Sequence, residues 1–333
     1  MQTRIAVFGA GSWGTALAIQ LARNGIQVKL WGHEASHIEK LARQRENEAY
    51  LPGIELDSKI HPVSSVETCL QDAQIILIAI PSKAFRGFLQ LLKPVLAPHV
   101  SIFWASKGFE IETGKLMHQL VTEELPGHHY GVISGPTFAG EVANGLPAAI
   151  TCAGDDDSST AFLAGLLHGN RFRCYTSSDV VGVELGGALK NILAIAVGIA
   201  DGLGFGANTR AALITRGLSE VMRLGKILGA REETLMGLAG LGDLILTCTD
   251  DQSRNRRFGL AIGRGMSVEE AEIVVGQTVE GLRAARAVFK MSQDQGLELP
   301  IMEQVYQELY KQVSPIDAVK SLENRPQRAE WVD

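Results

Sequence analysis

The chain has 333 residues, more than the ~250 to 300 that one hydrophobic core usually serves, so two domains are expected. Its composition, 46% apolar and 20% charged, is that of a globular protein, and a formal net charge of -6 argues against bulk attraction to nucleic acid or to an anionic membrane while leaving room for a local basic pocket. The four cysteines, Cys69, Cys152, Cys174 and Cys248, show no Cys-x-x-Cys spacing, which argues against a zinc site or a disulfide framework and fits a reducing compartment; no metal is expected.

The first residues run directly into an apolar strand pattern with no signal-peptide core before it. Glycine or charge interrupts the apolar segments short of the ~18 to 20 residues of a membrane span. A cytoplasmic protein without stable membrane insertion is the expectation. Ile5-Ala6-Val7-Phe8 has the unbroken apolarity of a strand buried on both faces of a parallel sheet, and Gly9-Ala10-Gly11-Ser12-Trp13-Gly14 follows at once. Helical spacing over residues 15–24 and a second strand, Gln27-Val28-Lys29-Leu30-Trp31, complete a strand, glycine turn, helix and strand unit. In that setting each glycine has a mechanical role: Gly9 for the tight turn, Gly11 for close approach to a pyrophosphate, Gly14 for packing the helix on the sheet. The second strand ends Trp31-Gly32-His33-Glu34, with a histidine where a carboxylate would select the ribose 2′-hydroxyl of NAD. His33 is either a solvated loop residue or a group that accepts a 2′-phosphate. NADP(H) is therefore the preferred cofactor, with NAD(H) the other possibility.

Residues 35–48 read as a polar helix and Leu51-Pro52-Gly53 as a turn. Ile75-Ile76-Leu77-Ile78-Ala79-Ile80 is the clearest buried strand; a helix over residues 82–96 and a strand, Ser101-Ile102-Phe103-Trp104-Ala105, come next. Lys107 follows that strand. It is either an ordinary surface lysine or a cation placed where doubly wound sheets bind ligands, beyond the C-terminal ends of the strands. Val132-Ile133-Ser134 leads into Gly135-Pro136-Thr137, which offers backbone N–H groups and a hydroxyl at the same end. Residues 148–153 and 172–175 are two further strands, and Asp155-Asp156-Asp157 between them reads as a turn and helix start, not a metal loop.

Beyond residue 180 no strand alternates with helix, so a doubly wound domain over residues 1–180 and an all-helical domain over 181–333 are expected. The helical part opens with an apolar run, residues 186–202, that carries a single cation, Lys190. By itself this is a lysine that snorkels from a core helix, pairs with a carboxylate or lowers its pKa. Glycine-rich stretches at 202–206 and 237–242 imply close backbone packing or a lined cavity. Ser253-Arg254-Asn255-Arg256-Arg257 is either a solvated basic face or a fork of donors suited to a phosphate monoester. Long apolar helices are compatible with a homodimer and equally with a monomer. The polar segment 324–333 is a frayed tail or a docking strap.

Taken together these segments resemble the bacterial-type NAD(P)-dependent glycerol-3-phosphate dehydrogenases over nearly the whole chain. The glycine motif is generic; Gly187-Ala188-Leu189-Lys190-Asn191 and Ser253-Arg254-Asn255, with Ser106-Lys107-Gly108, residues 134–139 and Ala239-Gly240-Leu241-Gly242-Asp243-Leu244 between and around them, are specific in order and spacing. The resemblance implies an N-terminal Rossmann-type sheet, a helical C-terminal domain, and reversible hydride transfer between nicotinamide and C2 of dihydroxyacetone phosphate, for phospholipid synthesis. It implies Lys190 as the general acid, and Lys107, Gly135, Thr137, Asn191, Asp243, Ser253, Arg254 and Asn255 around the small-molecule substrate. For the cofactor it implies Gly9, Gly11, Ser12, Trp13, Gly14, His33, Lys107, Ala139, Arg254, Thr278 and Glu280. The competing readings are a related two-domain hydroxyacid or sugar-acid dehydrogenase and a non-catalytic dinucleotide sensor; the Ser-Arg-Asn segment speaks against the first, the Lys190, Lys107 and Asp243 set against the second.

Overall fold

The computed structural model describes residues 4–169, 171–327 and 329. Arg328 and residues 330–333 of the terminal polar segment lie outside them, as do residues 1–3. The described strands are β1 (Arg4–Phe8), β2 (Gln27–Trp31), β3 (Glu46–Asn47), β4 (Leu51–Glu55), β5 (Ile60–Val63), β6 (Ile75–Ile78), β7 (Ser101–Trp104), β8 (Tyr130–Ser134), β9 (Ala148–Gly154) and β10 (Phe172–Ser177). Eight of them form one sheet in the order β10-β9-β8-β7-β6-β1-β2-β5. All neighbours run parallel except β8 and β9, so β9 and β10 together oppose the rest. This is the Rossmann-type sheet with helices on both faces, followed by helices alone.

Alternation along β1 explains the two-sided core. Ile5 and Val7 pack with Leu17 and Leu21 on one face, while Ala6 and Phe8 pack with Phe85, Phe88 and Leu89 on the other. From β1 the chain winds outward through β2 to β5, then returns to the opposite side of β1 at β6. The winding reverses between β1 and β6, and the C-terminal ends of such a pair open onto the crevice where doubly wound sheets bind ligands.

Three local expectations are corrected. The helix expected over 35–48 stops at Gln44, because Arg45 is left-handed at φ 57° and its guanidinium donates to the carbonyls of Ile60 at 2.9 Å and Leu56 at 3.1 Å. The expected turn at Leu51 is the start of β4, which pairs with β3 as a small hairpin. Strand β5 escapes sequence reading because it contains Pro62, tolerated there because β5 is an edge strand. In the same way residues 82–96 form a short turn of 3-10 helix, Ser82–Ala84, and a helix, Phe85–Leu92, that ends ahead of Pro94.

The apolar run of the second half is one helix, Val180–Gly202, capped by Asp179, whose carboxylate accepts the Gly182 N–H at 2.8 Å. At 23 residues it is long and apolar enough to cross a membrane, contrary to the expectation that every apolar segment falls short; what distinguishes it is burial inside the protein. Leu185, Leu189, Ile192, Leu193 and Ile195 form the centre of the helical core. The Arg254–Gly263 helix lies against it with backbones nearly touching. A Cβ added at Gly198 would stand 2.2 Å from the Arg256 carbonyl oxygen, and one at Gly259 2.2 Å from that of Ile195. Gly198→Ala is therefore expected to lower stability by ~1 to 3 kcal/mol through overpacking, read as a fall in Tm with the fold retained. An unchanged Tm would show that the two helices can separate freely.

Candidate active site

The centre of the candidate site is Asp243, which is fully buried and stands between two lysines. Lys107 Nζ donates to Asp243 Oδ2 at 2.5 Å, and Lys190 Nζ donates to Asp243 Oδ1. Three separate stretches meet here: Lys107 from the loop after β7, Lys190 from the middle of the long helix, and Asp243 from the first position of the Asp243–Thr249 helix.

Glycine makes the meeting possible. Residues Leu238–Gly242 form a π-helical turn, the kind of irregularity that often re-aims a functional side chain. A Cβ at Gly186 would lie 2.3 Å from the Ala239 carbonyl oxygen, so the turn can rest directly on the long helix only because Gly186 has none. Gly187 plays the same part on the other side: its missing Cβ would stand 3.3 Å from Lys107 Cδ and 2.9 Å from Ser134 Oγ. The glycine-rich stretch at 237–242 thus serves close packing at a polar centre, whereas in the stretch at 202–206 only Gly202 is closely packed, against Leu260 and Gly263, and Gly204 and Gly206 face open space.

The electrostatics of Lys190 follow from that packing. Its side chain is buried, and desolvation pushes its pKa down. Asp243 opposes this fall and the Lys107 charge adds to it, and the result is about 7. Lys190 therefore pairs with a carboxylate and also titrates near neutrality, so it is not a snorkelling lysine.

Around this centre the other anticipated residues take definite places. Asn191 Oδ1 accepts from Asn255 Nδ2 at 2.9 Å, and Asn255 Oδ1 accepts the Gly281 N–H at 2.9 Å. Asn255 is thus largely committed to joining three helices. Ser253 caps its helix, its hydroxyl oxygen accepting the Arg256 N–H at 3.2 Å. The basic cluster divides: Arg256 is buried and ion-paired to Asp201 and to Asp251, the latter at 2.9 Å, whereas Arg254 is exposed and bonded only weakly to Gln277 at 3.3 Å. Gly135 packs against Ala149 and Ile150, and Thr137 donates to the Gly135 carbonyl at 3.2 Å.

At the other end of the crevice the glycine loop behaves as the motif predicts. Gly9 has φ 120° and a Cβ there would strike the Ala79 carbonyl at 2.4 Å; one at Gly14 would strike the Gly9 carbonyl at 1.9 Å; around Gly11 the space is open. Gly11 is also the N-cap of the Ser12–Arg23 helix and offers no side chain to its first N–H groups. An open glycine at an uncapped helix N-terminus fits a dinucleotide pyrophosphate. Ser12 donates to the Tyr50 carbonyl at 2.7 Å, Trp13 packs partly into the sheet core, and His33 is exposed beyond the end of β2. Ala139 begins the Ala139–Ala143 helix, Thr278 is half-buried, and Glu280 begins the Glu280–Gln295 helix.

Comparisons with known proteins bear on the family of the chain. A family model described as the NAD-dependent glycerol-3-phosphate dehydrogenase N-terminus matches residues 4–160, and one for the C-terminus matches residues 179–320. The chain belongs to this family. A glycerol-3-phosphate dehydrogenase (NAD(P)+) of Shewanella halifaxensis is 52% identical over 329 residues, covering 98% of this chain and 97% of that one. A protein of the same description from Psychromonas ingrahamii is 51% identical, with 98% of both chains covered. Among solved structures, the glycerol-3-phosphate dehydrogenase of Coxiella burnetii superposes with a TM-score of 0.94 at 45% identity, covering 97% of this chain and 99% of that one.

Two side chains beside the centre were not singled out from the sequence of this family member. Thr247 donates to the Asp243 carbonyl at 2.6 Å and lies 3.5 Å from its Oδ1; its spacing of four from Asp243 on one helix is a signal that could have found it. Ser134 Oγ is buried without a hydrogen-bond partner, beside Lys107 and Gly187. Ser134 falls within the 134–139 segment that carries the family resemblance, but that segment pointed to Gly135, Thr137 and Ala139 and gave Ser134 no role.

Proposed function

We propose that the chain catalyses the reversible NAD(P)H-dependent reduction of dihydroxyacetone phosphate to sn-glycerol 3-phosphate, an oxidoreductase step that feeds glycerophospholipid synthesis. The observation that carries the reading is the Lys107–Asp243–Lys190 centre, with the Lys190 pKa pushed down to about 7. Bound reduced nicotinamide supplies the hydride that goes to C2. Lys190 Nζ gives its proton to the carbonyl oxygen as negative charge develops there, becomes neutral, and is reprotonated from solvent. The Lys107 ammonium adds positive charge beside the same oxygen, and Asp243 holds both amines in place without leaving either as an uncompensated buried cation.

Arg254, an exposed guanidinium at the start of its helix, binds the substrate phosphate, with Ser253 and the remaining N–H of Asn255 beside it. Gly135 and Thr137 line the substrate end, and Asn191 fixes Asn255. Gly9, Gly11, Ser12 and Gly14 hold the pyrophosphate; Trp13, His33, Lys107, Ala139, Arg254, Thr278 and Glu280 complete the cofactor side. Residues 1–180 act as the dinucleotide domain and 181–333 as the substrate domain. The protein works in the cytoplasm, without stable membrane insertion, and its long apolar helices are compatible with a homodimer.

Mixing the protein with NADPH and fresh dihydroxyacetone phosphate is expected to consume NADPH absorbance, with a lower KM for NADPH than for NADH because His33 stands where a carboxylate would repel the 2′-phosphate. Folded protein that leaves the absorbance unchanged rejects the reaction; a clear NADH preference rejects the role of His33.

A further inference from the structure

We propose that Ser82 is a positioning residue for the cofactor side of the site, resting on the dinucleotide-binding part of the reading above. Ser82 opens the 3-10 turn that follows β6, beside the reversal of winding between β1 and β6, and is itself buried. Its hydroxyl donates to Glu280 Oε2 at 2.7 Å, across 198 residues of chain, joining the mouth of the sheet crevice to the first residue of the Glu280–Gln295 helix.

Neither partner could make this contact by chance of a mobile surface. The Ser82 loop is held from both sides: Ala79 N–H donates to the Phe8 carbonyl at 2.7 Å, and Ser106 Oγ donates to the Ile80 carbonyl at 2.6 Å. Gly108, next to Lys107, closes over the pair at φ 128°; a Cβ there would stand 3.4 Å from Ser82 Oγ and 3.7 Å from Glu280 Oε2. A carboxylate at a helix N-terminus is favoured by the helix dipole in several directions. Ser82 selects one of them, towards the crevice.

The contact also reaches the reacting end. The residue after Glu280, Gly281, donates its N–H to Asn255, and Asn255 donates to Asn191, the neighbour of Lys190. There is no slack at that joint, since a Cβ at Gly281 would stand 2.7 Å from the Asn191 carbonyl oxygen. Ser82, Glu280, Gly281, Asn255 and Asn191 thus form a strut that sets the cofactor-side carboxylate and the proton-donor helix in one frame. Fixed geometry of this kind lowers the cost of binding, because the carboxylate is ordered before the cofactor arrives.

Titration of NADPH fluorescence with the full chain reads the cofactor Kd directly. Ser82→Ala, and Ser82→Cys, which leaves no cavity, are each expected to raise that Kd about ten-fold, the factor for one hydrogen bond to a charged group, with the kinetic loss falling on the NADPH KM more than on kcat. In a Glu280→Ala protein the same Ser82→Ala change is expected to cost nothing further. An unchanged Kd in both Ser82 variants, or losses that simply add in the double variant, overturns the assignment. A wild-type protein that binds NADPH but leaves dihydroxyacetone phosphate unreduced rejects the proposed reaction, while the binding cycle still decides on Ser82.

Discussion

Lys190→Ala is expected to lower kcat for ketone reduction by ~100- to 10,000-fold, the usual contribution of a positioned general acid, while leaving the NADPH Kd within about three-fold of wild type. The two measurements separate because Lys190 stands at the Asp243 centre, on a different element from the glycine loop proposed to hold the pyrophosphate. The wild-type pH profile carries the same assignment. With a pKa of about 7, Lys190 is protonated at lower pH and can give a proton; as pH rises through that value the acid form disappears, so kcat for reduction falls. The reverse oxidation needs neutral Lys190 as base, so its rate rises over the same interval. Turnover retained in Lys190→Ala, or a reduction rate that stays flat above neutrality when chemistry is rate-limiting, removes Lys190 from this role.

Asp243→Asn and Lys107→Met are expected to shift that profile in opposite directions. Asp243 raises the Lys190 pKa and Lys107 lowers it. Without the carboxylate, Lys190 keeps its desolvation and the repulsion from Lys107, so its pKa falls further and the loss of reduction rate with rising pH begins at lower pH. Without Lys107 the loss begins at higher pH. Asp243→Asn is also expected to reduce kcat at pH 7 by ~100-fold or more, since most Lys190 is then neutral and its position is no longer fixed. Single-turnover reduction followed across pH measures both effects. A shift in the same direction for both variants would mean that the limb reports a group other than Lys190.

Much of this was open to sequence reading because the signals are local. Strands β1, β6 and β7 are short apolar runs buried on both faces, and the glycine loop needs only its own backbone geometry to be recognised. Lys190 drew notice as the one cation in an apolar helix. Local patterns gave less where a long-range contact overrides them. The helix from Ala35 stops because Arg45 reaches carbonyls of residues 56 and 60, and β5 holds a proline that only its edge position allows.

The site shows the same division. The residue types and their order along the chain are properties of the sequence, and with them the family resemblance that the comparisons support. Which groups touch is a property of the fold. Arg256 and Arg254 are two positions apart and chemically alike, yet one is locked between Asp201 and Asp251 while the other is exposed. Ser82 and Thr247 look like any hydroxyl residues until Glu280 and Asp243 are placed beside them.

What the sequence determined by itself was therefore the central parallel strands, their glycine loop and the buried helix that bears Lys190, because hydrophobic period and glycine conformational freedom act over a few residues. The antiparallel pairing of β8 with β9 and the edge strand β5 were set by the fold. Only the tertiary structure decided that Lys190 titrates near 7. That value depends on water excluded by the whole helical core, and on two charges brought from positions 83 residues before and 53 residues after it, by the subtraction of 107 from 190 and of 190 from 243.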